Sequence, residues 1–201
     1  MNRAKVVVLC VLAAITYGIV HDQITAHLCV EYFSIAHPPI FHTDSPTILA
    51  FCWGIAATIW IGIALGVMLA LVSQSKGAPP YPMAKLVRSV LILLAVMAAS
   101  AFLAGLLGFE LSSHSVIHLP EDLAWMIPLA RHDRFMAVWF AQCASYLSGL
   151  TGGAYLVLHV WNQRGRPRVI GLVPKSKAEI IRAVIVATAV GVIFYLRFIR
   201  P

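Results

Sequence analysis

Long apolar blocks, separated by short polar segments, run through the whole chain. Five of them approach or exceed the roughly 20 residues that an α-helix needs to cross the hydrocarbon core of a bilayer. The pattern predicts an all-α integral membrane protein, a bundle of about five transmembrane helices in a single domain over 1–201. We place spans one to five at about 4–33, 47–73, 85–109, 134–161 and 179–198.

The first block begins as a secretory signal does, with Arg3 and Lys5 ahead of an apolar core. No cleavage site of small residues follows that core, and the helical pattern continues through Tyr17 and His21. We therefore expect a first span that is retained.

Proline and capping residues indicate where the first two spans end and begin. His37 precedes two prolines, and a residue before proline avoids the α region, so we expect span one to end there. Ser45 followed by Pro46 is typical of a helix start, which places the beginning of span two.

The loop between spans three and four contains its own helix signal. Pro120 followed by Glu121 and Asp122 predicts a short helix that ends before Pro128. Trp125 suits the membrane interface, so we expect this interfacial helix to lie over the outer end of the bundle.

Small residues repeat at every fourth position along spans two and four. Such stripes let membrane helices approach closely. Because both spans carry one, we expect spans two and four to pack on each other at the centre of the bundle. The packing residues are Gly54, Thr58, Gly62 and Gly66 on span two and Ala141, Ser145, Gly149 and Gly153 on span four.

Composition supports a lipid environment. The chain is 60% hydrophobic and 11% charged, whereas charged residues make up about a quarter of a soluble domain. The net charge of +7 does not form a soluble basic patch, so we expect no nucleic-acid partner. With a cytoplasmic N-terminus, eleven basic residues fall inside and four outside. This positive-inside bias predicts a bacterial cytoplasmic (inner) membrane protein with a periplasmic C-terminus.

The inner loop at 164–177 is rich in basic residues. Anionic lipid head groups would be attracted to it, and the alternative is a topology signal with no binding role.

Histidines are distributed unevenly between the two sides. Seven of the eight fall on the predicted outer half, and His159 alone lies inside. The acidic residues divide in the same way, which the positive-inside rule explains, but the rule does not explain the histidines. Imidazole is the commonest metal ligand and carboxylates often orient it, so the pattern predicts a divalent transition-metal site for Zn, Ni or Co.

The candidate residues fall into two groups. The candidate metal ligands include two pairs at i, i+4 spacing, His27 with Glu31 and His114 with His118. The full ligand set is His21, Asp22, His27, Glu31, His37, His114, His118, His132 and Asp133. The candidates for a polar pathway or substrate contact are Tyr17, Thr25, Tyr32, Arg131, Arg134, Gln142 and Tyr146.

Four functions remain open on the sequence. The favoured one is binding or transport of a divalent metal ion at the periplasmic side. The second is a membrane-embedded metal-dependent enzyme acting on a lipid or lipid-linked substrate, with catalytic residues unassigned, in which Arg131 and Arg134 would hold a phosphate. The third is a haem b protein ligated by His21 and His132. The fourth is an accessory subunit of an oligomer or a larger complex.

Overall fold

The computed structural model describes residues 2–74 and 79–164, and all the regular secondary structure in these ranges is helical. The elements are α1 (Arg3–Leu28), α2 (Glu31–Ser34), α3 (Pro46–Ser73), α4 (Met83–Ser113), α5 (Glu121–Met126), a 3₁₀ turn (Leu129–Arg131) and α6 (His132–Gln163). The predicted fifth span at 179–198 lies outside the described residues, as does the basic loop at 164–177 beyond Arg164.

Among the described residues, three helices, α1, α3 and α4, are long and apolar enough to cross a membrane. The described part of the chain is therefore all-helical, and its apolar helices indicate a membrane location. The fourth long helix, α6, has 32 residues but is less apolar than the other three. Its polar residues Gln142, Ser145 and Ser148 are buried inside the bundle rather than facing outward.

The long helices form two antiparallel pairs, and glycine contacts define both. In the first pair, a Cβ at Gly54 of α3 would lie 2.7 Å from the Ile19 nitrogen of α1, and one at Gly66 would lie 2.8 Å from the Val7 Cα. In the second pair, a Cβ at Gly108 of α4 would lie 2.7 Å from the Met136 oxygen of α6. Contacts within each pair are far more extensive than contacts between the pairs.

The predicted packing of span two on span four is wrong. The stripe of α3 faces α1, where Gly62 lies against Val11, and Thr58 lies against Gly18. The stripe of α6 faces α4 instead, with Ala141 beside Gly105. Small residues indicate that another helix approaches this face closely, but they do not determine which helix it is. Helix α1 packs here because it also carries small residues on the facing side, such as Gly18 and Ala14.

Gly149 also faces α4, where it contacts Met97. Two other members of the predicted α6 stripe face different helices. Gly153 lies near Leu65 of α3, which is a contact of the predicted kind. Ser145 hydrogen-bonds to Tyr17 of α1 and is a polar contact rather than a packing residue.

The first span ends earlier than predicted. Helix α1 ends at Leu28, and Cys29 is extended, with its N–H donating to the Thr25 carbonyl. The chain then resumes as the four-residue α2 before the prolines are reached. Glu31 therefore lies beyond the break and not one turn after His27, so the predicted i, i+4 pair does not form.

Two other boundaries agree with the sequence. The Ser45 hydroxyl caps α3 by accepting from the Ile48 N–H, with Pro46 at the first turn. Helix α5 follows Pro120 and carries Glu121 and Asp122 in its first turn.

Two apolar clusters lie at opposite ends of the bundle. At the end that carries α2, hereafter the α2 end, the cluster is centred on Phe135, Met136 and Leu49. At the far end, Leu69 and Leu86 lie in the second cluster. Residues 17–25 of α1 lie between these clusters along the helix axis, and that level carries the polar side chains described below.

We predict that Gly54→Ala destabilises the protein by about 1–3 kcal/mol, because the added methyl would overlap the α1 backbone. Gly153→Ala is the matched control, since its Cβ would meet Leu65 Cδ1 at an ordinary 3.5 Å and the change raises helix propensity. The free energy of unfolding in maltoside micelles measures both. Equal effects would contradict the assignment of α1 as the partner of this stripe.

Candidate functional site

A buried polar cluster joins α1 to α6 and connects the two helix pairs. Gln142 Nε2 donates to Asp22 Oδ1 at 2.9 Å and lies 3.4 Å from Thr25 Oγ1. Asp22, Thr25 and Gln142 are each 6% exposed or less. In this cluster, Gln142 is the donor that satisfies the buried Asp22 carboxyl.

One turn further from the α2 end, a second hydrogen bond crosses the same interface. Tyr17 Oη and Ser145 Oγ are 2.9 Å apart. The Tyr17 ring stacks on the imidazole of His21, with centroids 5.6 Å apart and planes at 10°. The cluster thus consists of Tyr17, His21, Asp22 and Thr25 on α1 with Gln142 and Ser145 on α6, and we call it the α1–α6 cluster.

His21 is incompletely satisfied in this arrangement. The Gln142 side chain interacts with its imidazole. The Nε2 atom is nevertheless buried without a hydrogen bond of good geometry to any described residue. A buried polar atom without a partner is costly, so this nitrogen is available for a ligand.

The acidic side chain of the cluster lacks a basic partner. Within residues 2–74 and 79–164, the Asp22 carboxyl forms no ion pair with a lysine or arginine. Tyr146, one turn beyond Gln142 on α6, is 47% exposed. A carboxyl buried without a cation is unfavourable in an apolar environment, and such groups within membrane helices typically mark functional sites.

An apolar groove of about 430 Å³ adjoins the cluster. It lies between α1, α4 and α6, in the space that the loose packing between the two helix pairs leaves open. Tyr17, His21 and Thr25 form its polar edge. Its apolar walls include Val20, Ile24, Phe102, Leu106 and Phe109, all of which are also exposed on the outer surface of the bundle.

A second cavity of about 140 Å³ lies beyond Tyr17, toward the far end of the bundle. Ser145 and Tyr146 line it, together with Met97 of α4. Tyr17 lines both cavities, so the Tyr17–Ser145 hydrogen bond lies where they adjoin.

The predicted metal ligands do not gather around one point. Among the described residues, no three His, Cys, Asp or Glu side chains are arranged to hold a metal ion. His21 and Asp22 are the two such donors in the α1–α6 cluster. Three or four protein ligands are usual for zinc, so an ion held there would need further ligands from water or substrate.

The histidines near α2 are bonded locally. His27 is exposed, and its Nδ1 donates to the Gln23 carbonyl at 2.7 Å. His37 Nδ1 donates to the Tyr32 carbonyl at 2.8 Å, and its ring packs against Trp53. Tyr32 itself lies in α2, beyond the end of α1, and packs on Phe135.

The prediction that His114 and His118 share one helical face is wrong. Helix α4 ends at Ser113, and Ser115 adopts a positive φ of 56° that breaks the helical path. Both histidines are exposed, and His114 Nδ1 donates to the Glu110 carbonyl at 2.9 Å. The two imidazoles therefore do not share a helical face.

His132 and Asp133 lie at the start of α6. His132 Nε2 donates to the Ile127 carbonyl at 3.0 Å, and Asp133 accepts from the Ser112 hydroxyl at 2.7 Å. His132 precedes Gln142 by ten residues, or roughly 15 Å along the helix. His21 and His132 consequently lie at different depths and cannot both ligate one metal ion or one haem iron.

The two arginines at the α2 end, Arg131 and Arg134, do not flank the α1–α6 cluster. Arg131 Nε lies 3.4 Å from Glu31 Oε1, an ion pair that ties α2 to the 3₁₀ turn. Arg134 is exposed. Neither arginine is positioned to hold a phosphate beside His21.

No protein-family model, curated protein or solved structure matches this chain. The function must therefore be inferred from the geometry of the site.

Most members of the cluster are predictable from the sequence, but their pairing is not. Tyr17, His21 and Thr25 are spaced for one face of α1, which is a visible signal. Gln142 and Ser145 are likewise three residues apart on α6. The small-residue stripe predicts a packing role for Ser145, whereas its hydroxyl hydrogen-bonds to Tyr17 of the facing helix, which the sequence does not identify.

We predict that Gln142→Leu destabilises the protein by about 1–3 kcal/mol, because Asp22 is left buried without its donor. Gln23→Leu is the matched control, since that amide donates to the Thr47 carbonyl in an exposed position. Adding Asp22→Leu to Gln142→Leu should recover part of the loss. Unfolding in micelles measures the cycle, and additive effects of the two changes would contradict the pairing.

Proposed function

We propose that this chain is an integral membrane protein that binds a lipid-soluble molecule in the groove between α1, α4 and α6. The α1–α6 cluster recognises the polar head of that molecule and acts on it. The observation that supports this most strongly is the buried Nε2 of His21, which lacks a hydrogen bond of good geometry, beside a carboxyl without a cation, at the polar edge of an apolar groove.

The size and position of the groove fit such a ligand. A volume of about 430 Å³ falls within the range of small-molecule sites, which are mostly apolar with a few polar groups. Ile24 and Phe102 are 66% exposed where they border it, so the ligand can arrive sideways from the bilayer.

The chemistry of the cluster limits the head group. Asp22 without a neighbouring cation disfavours a phosphate and favours an uncharged hydroxyl or carbonyl, or a cation. His21 and Asp22 are the side chains suited to proton transfer, as general base and acid. Tyr17 would position the imidazole through the stacking contact.

The topology that we propose adds detail to the membrane location. Helix α6 and residues 179–198 complete five spans, with a cytoplasmic N-terminus and a periplasmic α2 end in a bacterial inner membrane, because the basic residues divide in that way. Trp125 and Leu129 are 89% and 83% exposed, which supports placing α5 and the 3₁₀ turn at the membrane interface.

A divalent transition-metal ion is the second candidate ligand. The free Nε2 of His21 beside Asp22 favours it, since imidazole and carboxylate are common donors. The described residues supply two donors there, so the bound molecule or water would complete the coordination.

We predict that protein purified in maltoside retains a lipid-soluble compound that differs from bulk phospholipid. His21→Phe should lower its occupancy roughly tenfold by removing the buried nitrogen, since a lost hydrogen bond costs about 1–3 kcal/mol. His159→Phe is the control, because that histidine lies in the far half of α6, away from the cluster. Mass spectrometry of solvent extracts measures the compound, and elemental analysis measures zinc, nickel and cobalt in parallel.

The two candidates give different results in this experiment. Loss of the compound without change in metal content supports the lipid-soluble ligand. Loss of a stoichiometric metal supports the second candidate. Identical extracts and metal contents in the wild type and both variants would contradict both.

A second prediction tests the groove without altering the cluster. Ala98 and Ala99 are adjacent exposed residues of α4, and Ala98 lines the groove whereas Ala99 does not. Ala98→Trp should displace the compound while the protein stays folded, and Ala99→Trp should retain it. Equal retention in both variants would mean that the ligand lies elsewhere.

A further inference from the structure

A third cavity, of about 290 Å³, lies at the α2 end, among the residues that connect α1 to α3. Three aromatic side chains line it, namely Phe33, Phe41 and Trp53. It is separate from the groove beside the α1–α6 cluster, with which it shares no lining residue.

The aromatic rings are held in place by contacts with one another. Phe41 meets Trp53 edge to face, with centroids 5.2 Å apart and planes at 84°. His37 packs on both Trp53 and Phe33, and its Nδ1 donates to a backbone carbonyl. These contacts order the wall before any ligand binds, which lowers the entropic cost of binding.

The charge that lines this cavity is negative. Asp44 borders it, and in the described part of the chain its carboxylate takes part in no hydrogen bond or ion pair. No lysine or arginine lines the cavity. Ser34, His42 and Thr43 complete the polar lining.

We propose that this cavity binds a small organic ammonium ion. The faces of aromatic rings attract cations, most strongly in tryptophan, and an unpaired carboxylate adds a formal charge of opposite sign. Anions are disfavoured by both features. Recognition by Trp53, Phe41, Phe33 and Asp44 would place the ammonium group among the rings and leave the rest of the molecule toward the open, polar side.

The test uses the full chain in maltoside micelles, a detergent without a trimethylammonium group. Choline is the probe, and 3,3-dimethyl-1-butanol, which has the same shape without the charge, is the matched ligand control. Isothermal titration should show saturable binding of choline and at least about tenfold weaker binding of the alcohol.

Two variants locate the site. Asp44→Asn should weaken choline binding about three- to tenfold, whereas Asp122→Asn, which removes an exposed carboxylate from α5, should leave it unchanged. Trp53→Tyr, which keeps a smaller ring, should weaken binding less than Trp53→Leu.

Each outcome decides the proposal. Charge-dependent binding that is sensitive to Asp44 supports it. Equal binding of choline and the alcohol, equal effects of Asp44→Asn and Asp122→Asn, or the absence of saturable choline binding would overturn it. A loss of folding in Trp53→Leu would not affect the comparison, because Asp44 is exposed and its variant preserves the core.

Discussion

Asp22 must find a hydrogen-bond donor inside the bundle, because lipid offers none to a carboxyl buried at the level of the membrane-spanning helices. Gln142 provides it at 2.9 Å, and Tyr17 with Ser145 adds a second bond across the same interface. These bonds fix the register of α1 against α6. The α1–α3 and α4–α6 pairs are each held by close packing of small residues, whereas polar bonds are prominent where the pairs meet.

The groove exists because the α1–α3 pair and the α4–α6 pair pack only loosely against each other. Helices packed along glycine faces leave no space, but α1 and α4 approach each other over a short length only. The space between them is walled by apolar side chains that also face outward, with Tyr17, His21 and Thr25 at one edge. A polar head can therefore reach buried hydrogen-bonding groups while the apolar body stays in contact with lipid, which is the arrangement that our functional proposal requires.

Much of the fold could be predicted from the sequence, because lipid imposes a strong rule on helix length and polarity. The apolar blocks located α1, α3 and α4, and Ser45 with Pro46 located the start of α3. The helix that packs against each stripe could not be predicted in this way. A stripe of small residues such as Gly54 and Gly62 indicates close approach of another helix but does not indicate which helix it is. The breaks at Cys29 and Ser115 are not marked by a nearby proline or glycine in the sequence, and they disrupt the two predicted i, i+4 pairs, His27 with Glu31 and His114 with His118.

Part of the site is predictable from the sequence for a similar reason. A polar residue in an apolar block is visible, which singled out His21, Asp22 and Gln142, but convergence in space depends on axial depth, and His132 lies about 15 Å from the level of Gln142. The position of seven histidines on one side is weak support for a metal site, because His27, His37, His114 and His132 each donate to a nearby backbone carbonyl.

Photolabelling with a long-chain alcohol that carries a diazirine, in bilayers containing the full chain, tests the central claim most directly. We expect label on Ile24 and Phe102 to saturate and to be displaced by excess unmodified alcohol, because these residues border the groove beside His21. Label on Trp60, which is 71% exposed on α3 and borders no part of the groove, should rise in proportion to probe and resist displacement. Proportional, non-displaceable labelling at all three residues would show that lipid merely surrounds the bundle and would contradict a ligand site in the groove.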